Sequence, residues 1–527
     1  MNNLKFALMF MCIGVLVVSC SNDDSEVVEP VVLDAGTLSG GPFTFTVDGT
    51  PDMVSGVALD ASGLVGSNSG FVITDDSDMI LGLPPTLEAL EGVDFDAAGV
   101  GVCFIYHVVY EDGLQGLEAG MNLDNLSGEY DLSNSIMVTR GANPSASFTV
   151  TIENVIAPKA YFSTGATAGI PPGESVEYTF NAGIGHYLNF ATMLGQSNDL
   201  FFAPYENGIR LYDENGVAKT GDVTYKIALW DAGTEVNEEP GVGPNQAPRQ
   251  PEPDTGMDEN GTVELIENIA DGFTYPEVDS MIKVELSHDG GTEFTLTIHN
   301  ISNECSLVSP FAPGAWVVHG ADKTPFFEEG MAASEGLERM AEDGNNEITV
   351  MELDENSGYV SPFAPGAFGI NNPVFEEGVA STEAFEALAE DANPSGYENI
   401  FNTPVGAAGP GPIFPGDSFS FEFTAENGDM LSFASMLGQS NDWVVGTEGI
   451  ALFENGTPIS GDITLELSIY DSGTEVDQYP GAGADQAPRQ SGPDTGAEEN
   501  GLVAEEIEIA DNVPSIEHLV RVTITVN

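Results

Sequence analysis

The 527-residue sequence is poor in positive charge: 12 Lys and Arg stand against 85 Asp and Glu, a formal net charge of -73. Neutralising a phosphate backbone takes a basic face, and so few cations cannot assemble one, so nucleic acid is excluded as a partner. Cysteine is scarce too. Beyond the first twenty residues only Cys103 and Cys305 remain, in separate regions of the chain, which excludes a disulfide framework. The six histidines form no His-x-x-x-His group and no Cys-x-x-Cys accompanies them, which argues against a zinc site. Neither a Gly-x-Ser-x-Gly elbow nor a P-loop is present. Stability must then come from core packing or bound metal. The surplus acid has two readings, a solvated surface suited to salty surroundings or carboxylates that converge on divalent cations.

What is present begins with MNNLKFALMFMCIGVLVVSC, one Lys before an apolar run that ends in small residues and a Cys. This is the pattern of a secretion signal, and the run is short for a full membrane span. LVVSC resembles a bacterial lipobox, which implies cleavage before Cys20 and lipid attachment there. The following Ser21, Asn22, Asp23, Asp24, Ser25 and Glu26 resemble the surface-export signal of Bacteroidetes lipoproteins. The expectation is a signal peptide over 1–20, an acidic linker over 21–39, and a lipid-anchored protein of the outer membrane or cell surface. Residues 40–142 carry short β-type runs such as SGFVITDD and VGVCFIYHVVYEDG between Gly, Asp and Ser clusters, which predicts a small all-β domain. His107, inside an apolar run, is expected to be a satisfied core histidine.

The remainder is internally repeated. FTVTIENV at 148–155 matches FTLTIHNI at 294–301, ATMLGQSNDL at 191–200 matches ASMLGQSNDW at 434–443, and WDAGTEVNEEPGVGPNQAPRQ at 230–250 matches YDSGTEVDQYPGAGADQAPRQ at 470–490. These matches predict two related modules, 146–289 and 291–527. Between loop and tail each copy carries an Asn-Gly pair flanked by alternating hydrophobics, a hairpin signal. From the opening Phe to the Asp of SND takes 51 residues in the first copy (148 to 199) and 148 in the second (294 to 442), 97 more. The excess holds its own repeat, SPFAPGAWVVHG at 309–320 and SPFAPGAFGI at 361–370, each followed by a helical segment with Ser334 or Ser381 as the expected N-cap. On this reading the first copy lacks the SPFAPGA segment and the second has it twice. Strands outnumber helices, so the fold class is all-β, built of β-sandwiches.

Asp199, Asp231 and Glu235 in one copy, and Asp442, Asp471 and Glu475 in the other, are carboxylates on loops beside turn residues. Loop carboxylates at strand ends are the hard oxygen ligands that Ca²⁺ takes. The same acids also serve to cap turns, and spacing alone leaves both readings open. Arg249 and Arg489, in equal places in QAPRQ, are expected to form an ion pair or clamp carbonyls in the tail.

SND followed by Trp, then a hairpin, then WDAGTE resembles the spondin N-terminal domain family; the motifs recur in fixed order in both copies, with Leu200 in the first where the second keeps Trp443 and Tyr470 in the second where the first keeps Trp230. The similarity covers about 148–527. It implies tandem C2-like β-sandwiches, an extracellular setting, bound calcium, and adhesion or recognition of a protein or glycan in place of catalysis. The family's calcium acids fall on Asp199, Asp231 and Glu235, and on Asp442, Asp471 and Glu475; Glu235 and Glu475 stand where the family has Asp, one methylene shorter. The expected function is a calcium-binding surface lipoprotein that is not an enzyme. The alternatives are a secreted hydrolase that uses paired carboxylates on a glycan, and a metal-free structural envelope protein.

Overall fold

The computed structural model describes residues 32–205, 207–506 and 510–527; the expected signal peptide, Cys20 and the first part of the linker lie outside the described residues. The chain divides into two compact units at Asn143 and Pro144.

In the first unit the β-type runs form a six-stranded sheet. Its spatial order is Phe43–Val47, Ile136–Ala142, Gly101–Tyr110, Asn68–Asp75 and Ile80–Gly82, with Tyr130–Leu132 also paired onto Gly101–Tyr110. Period-two alternation along the central strand sends Cys103 and Ile105 into one core with Phe71 and Ile73, and Val108 into another with Val72 and Ile80. His107 is buried and bonded through Nδ1 to the Ala35 carbonyl at 2.7 Å, a satisfied core histidine.

The second unit holds two β-sandwiches, each made of a larger sheet and a four-stranded sheet. In the first module the larger sheet runs Tyr161–Thr167, Gly314–Gly320, His186–Met193, Leu200–Pro204, Ile227–Asp231 and Glu264–Leu265. Its four-stranded sheet runs Ser175–Asn181, Glu293–Asn300, Ile282–His288 and Gly221–Asp222. Phe190, Phe202, Leu229 and Val318 meet Phe180, Val284, Phe294 and Leu296 between the sheets. The alternate residues Phe201, Ala228, Trp230 and Val317 face outward, under the helices Glu335–Asp343 and Glu347–Glu355.

The module boundaries differ from those expected from the repeats. Strand Ser145–Asn154, which opens the first sequence copy, belongs to the second module, lying between Ser418–Glu426 and Val520–Val526. Its alternate residues Phe148, Val150 and Ile152 fill the second module's core. Conversely, FTLTIHNI and SPFAPGAW, assigned by sequence to the second copy, complete the first module. The second module's larger sheet takes SPFAPGAF as Phe363–Ile370, beside Met430–Leu437. Each module therefore has one SPFAPGA strand, followed by two helices in the first module and one in the second, and the 97-residue excess is no insertion.

The first module instead sits in the connection between the first and second strands of the other, with a permuted strand order. The two ends of the inserted stretch are close, since Gly358 N donates to the Tyr161 carbonyl at 3.1 Å and Tyr161 N to Asn356 O at 3.0 Å. In the first module Ile282–His288 and Glu293–Asn300 are joined by a hairpin. Their counterparts in the second, Val520–Val526 and Ser145–Asn154, are its last and first strands.

Two local expectations also need correction. The Asn-Gly pairs make only short hairpins, such as Phe453–Glu454 with Thr457–Pro458; the strand that follows in the first module, Ile227–Asp231, pairs with Leu200–Pro204. Ser334 does cap its helix, accepting from Leu337 N, but the second helix Glu383–Asp391 is capped by Thr382. Ser381 donates to the Ser472 carbonyl at 2.7 Å instead.

The repeated Asn of each FT(V/L)TI strand ties that strand to the start of a SPFAPGA segment and to a neighbouring loop. Asn300 is fully buried and its Nδ2 donates to the Ile170 and Ser309 carbonyls, both at 2.8 Å, while Oδ1 accepts from Ser302 N. Asn154 does the same with Ser361 O, Ile413 O and Ile156 N. Asn300→Ala takes one donor from each of two buried carbonyls, which keep Phe311 N and Ser302 Oγ respectively, and leaves Ser302 N without its acceptor, so it is expected to cost about 1–3 kcal/mol, read as a lower thermal midpoint for the second unit.

Candidate metal centre

Every polar side chain of the repeated GQSND loop has a defined job. Ser197 Oγ donates to Leu194 O and accepts from Leu200 N, closing the turn. Gln196 Oε1 accepts from Arg249 at 2.8 Å, and Gln439 Oε1 accepts from Arg489 at 2.8 Å. Each guanidinium also donates to a tail carbonyl, Gly243 O for Arg249 and Gly481 O for Arg489. Of the two readings for these arginines, the carbonyl clamp is the one found. Asn198 Oδ1 accepts from Glu238 N and its Nδ2 donates to Glu235 Oε2 at 3.1 Å; Asn441 does the same with Gln478 N and Glu475. The tail is thus held against the loop at several points.

The last residue, Asp199, is fully buried. Its Oδ2 accepts from Thr234 N at 2.8 Å, Glu235 N at 3.1 Å and Thr234 Oγ1 at 3.2 Å, while Oδ1 is buried with no partner. Asp442 repeats this atom for atom: Oδ2 accepts from Thr474 N, Glu475 N and Thr474 Oγ1, with Ser472 Oγ added, and Oδ1 is again orphaned. A buried carboxylate oxygen with no donor is costly, and its appearance in both modules calls for a positive partner.

Asp231 and Asp471 lie beside these orphans, paired in register with Leu200 and Trp443, the residues that follow Asp199 and Asp442. Each uses Oδ1 to accept from the glycine two positions on, Gly233 or Gly473, at 2.6 Å. That turn needs glycine: Gly233 has φ +69°, and a Cβ there would lie 2.6 Å from Thr262 O. Burial, then the charge of Asp231, holds the Asp199 carboxyl well above the usual range. Burial pushes Asp231 up to about 6. Asp471 is pushed up to about 7 by burial and by Asp442. In the second module Asp471, Asp477 and Glu506 offer oxygens within 4.8 Å of one another. Asp477 is pushed up to about 8, by burial first and then by Asp471 and Asp442. In the first module Asn237, at the place of Asp477, donates to Asp231 Oδ2.

Glu235 and Glu475 do not join these groups. Glu235 accepts from Asn198 Nδ2 and, through Oε1, from Gly256 N at 2.6 Å; Glu475 accepts from Asn441 and Gly496 N. Beside them are Glu342 and Glu390, from the SPFAPGA helices, each pushed up to about 7 chiefly by burial and then by other carboxylates, Glu235 and Glu475 among them. The longer side chain reaches past the Asp pair to the PDTG segment, where Glu235, Asp254 and Glu342 form a separate acidic group. Of the six acids singled out by sequence, the structure therefore gathers Asp199 with Asp231 and Asp442 with Asp471. Sequence reading missed Asp477 and Glu506. The signal for the first was present: TEVN and TEVD keep an oxygen-bearing side chain at the same place in both tails.

The acids gathered here, Asp199 with Asp231 and Asp442 with Asp471 near Asp477 and Glu506, are hard oxygen donors of the kind that suits Ca²⁺. No curated protein matches this chain. A family model described as Spondin_N matches residues 315–490, a span that starts in the SPFAPGA strand of the first module and ends at the QAPRQ tail of the second.

Proposed function

We propose that the two sandwiches are calcium-binding recognition modules of a lipid-anchored surface protein that engages an extracellular protein or glycan. The observation that carries this reading is the orphaned Oδ1 of Asp199, repeated at Asp442, each beside a second acid held partly protonated by burial. A divalent cation there supplies the missing partner and offsets the repulsion. Asp199 and Asp231 would hold it in the first module, with Asn237 beside them. Asp442, Asp471, Asp477 and Glu506 would hold it in the second. The bound ion would lock the tail to the GQSND loop and fix the surface that both present. Recognition or adhesion outside the cell is the general role that the spondin N-terminal match suggests, and Cys20 would provide the anchor.

Burial disfavours the hydrolase reading. A glycosidase pair must face a cleft that admits a sugar, whereas Asp199 and Asp442 are 0% exposed. Calorimetric titration of the EDTA-treated full chain with Ca²⁺ is expected to give two sites. Asp442→Asn is expected to leave one, and Asp199→Asn with Asp442→Asn none. Absence of binding to the wild-type chain, or an unchanged stoichiometry in the double variant, would overturn the assignment.

A further inference from the structure

The first unit contains a pocket of ≈ 890 Å³ outside the spondin-like modules. Its walls include Ile73, Leu81, Leu83, Val93, Phe95 and Val100, and Arg140 lies among its lining residues. Arg140 is 4% exposed, in a chain with few cations. Its Nη1 donates to the Gly99 carbonyl and its Nε is buried without an acceptor. No described carboxylate pairs with it as a salt bridge. The Cys103 thiol, hydrogen-bonded to the Arg140 side chain, is pushed up by burial against the pull of that bond and of the Arg140 charge, so it stays neutral and is no counter-ion.

Nε and Nη2 form one edge of the guanidinium, the edge that grips a carboxylate through two parallel hydrogen bonds. Gly101 leaves that side open, since a Cβ there would lie 3.1 Å from Nη2. A buried guanidinium with no anion beside it is expensive unless one completes it. We propose that this pocket binds a small apolar monocarboxylate, its carboxylate on the Nε and Nη2 edge of Arg140 and its hydrocarbon body against the apolar walls.

Asp75, Asp76 and Asp94 also line the pocket. Asp75 Oδ1 accepts from Ser77 N and Met79 N, and Asp94 Oδ1 from Asp52 N and Asp96 N, so both are committed to turns. Their field repels a polyanion and tolerates a single charge seated on the guanidinium, which is why the class is a monocarboxylate and excludes phosphates.

The test is calorimetric titration of the full chain with octanoate, 1-octanol and inorganic phosphate. Octanoate is expected to saturate at one per chain, octanol to bind at least about 10-fold more weakly, and phosphate not to bind; a good charge-assisted contact is of that size. Arg140→Gln is expected to lower octanoate affinity at least about 10-fold while leaving octanol unchanged. Leu81→Asp, on a wall residue 43% exposed, is expected to weaken both. No saturable octanoate binding, equal octanoate and octanol affinities, or phosphate binding as tight as octanoate would each overturn the proposal. So would full affinity in Arg140→Gln. Should that variant fail to melt cooperatively, Leu81→Asp decides, and unchanged octanoate affinity there would equally overturn it.

Discussion

In EDTA, the melting temperature of the full chain falls as pH rises from about 4 to about 8, and excess Ca²⁺ removes most of that fall. The sign follows from the direction of the shifts. Burial and neighbouring carboxylates raise Asp231 to about 6, Asp471 to about 7 and the partly solvent-exposed Asp477 to about 8, whereas in the unfolded chain they titrate near 3.8. Between those values the folded state holds more protons than the unfolded one, so the stability these groups contribute is complete below about pH 4 and is lost as pH climbs through their folded values. Asp231, the most buried of the three, accounts for on the order of 2 kcal/mol after allowance for screening. The usual opposing trend, loss of paired carboxylates in acid, is weak here, because the ion pairs among the described residues are 30% exposed or more, and the turn carboxylates that hydrogen bonds hold low, such as Asp60, Asp213, Asp222 and Asp462, lie at the solvent-screened surface. A ligand bound only to the folded state at about 100 times its dissociation constant stabilises by about 2.7 kcal/mol per site, and does so most where the acids are ionised. Calorimetric melts at pH 4.5, 6 and 8, with EDTA or Ca²⁺, read both effects. Melting temperatures in EDTA that climb steadily with pH, with calcium inert, would show that the acids are turn residues without an ion.

Which parts of this were legible in the sequence depended on the range of the interaction. The all-β class was legible because alternation in runs such as FTVTIENV and FTLTIHNI is a property of one strand. The loop and tail were legible as a unit because their residues bind each other: Gln196 with Arg249, Asn198 with Glu235, and Asp199 with Thr234. Partner strands were not legible. FTVTIENV and FTLTIHNI are equivalent in pattern, and nothing local says that the first pairs with Phe419 and Val522, more than 260 residues on. The same limit hid Glu342, which reaches the site from a helix that the repeats assign to the other module, and Glu390, whose helix lies more than 80 residues from Glu475 in the chain. Ser381 and Thr382 are adjacent potential caps, and the choice between them was made by the Ser472 carbonyl that takes the Ser381 hydroxyl. The switch of Glu235 away from Asp231 turned on one methylene and on Gly256 N, a donor contributed by a segment 21 residues further along.

The strand exchange makes a fragment test with a large effect. A chain cut at the sequence repeat, residues 291–527, is expected not to fold cooperatively. It lacks strand Ser145–Asn154, which sits between two partners in the four-stranded sheet, and it carries Glu293–Asn300 and Gly314–Gly320 without the sheets they complete. Removing that segment takes Phe148, Val150, Ile152 and Ile156 from the core, all at most 3% exposed. At about 1.5–3 kcal/mol each, their loss amounts to roughly 6–12 kcal/mol, comparable to the whole stability of an ordinary domain. Two backbone ladders are left unpaired as well. By contrast, residues 144–157 joined through a short Gly/Ser linker to 358–527 keep every strand of the second module, and residues 160–357 keep every strand of the first. Both are expected to melt cooperatively, because the ends of the inserted stretch already meet at Tyr161 and Gly358. Circular dichroism melts of the three fragments settle the matter. A cooperative transition in 291–527, with none in the 144–157/358–527 fusion, would mean that the repeats mark the folding units after all and that the strand pairing described here is wrong.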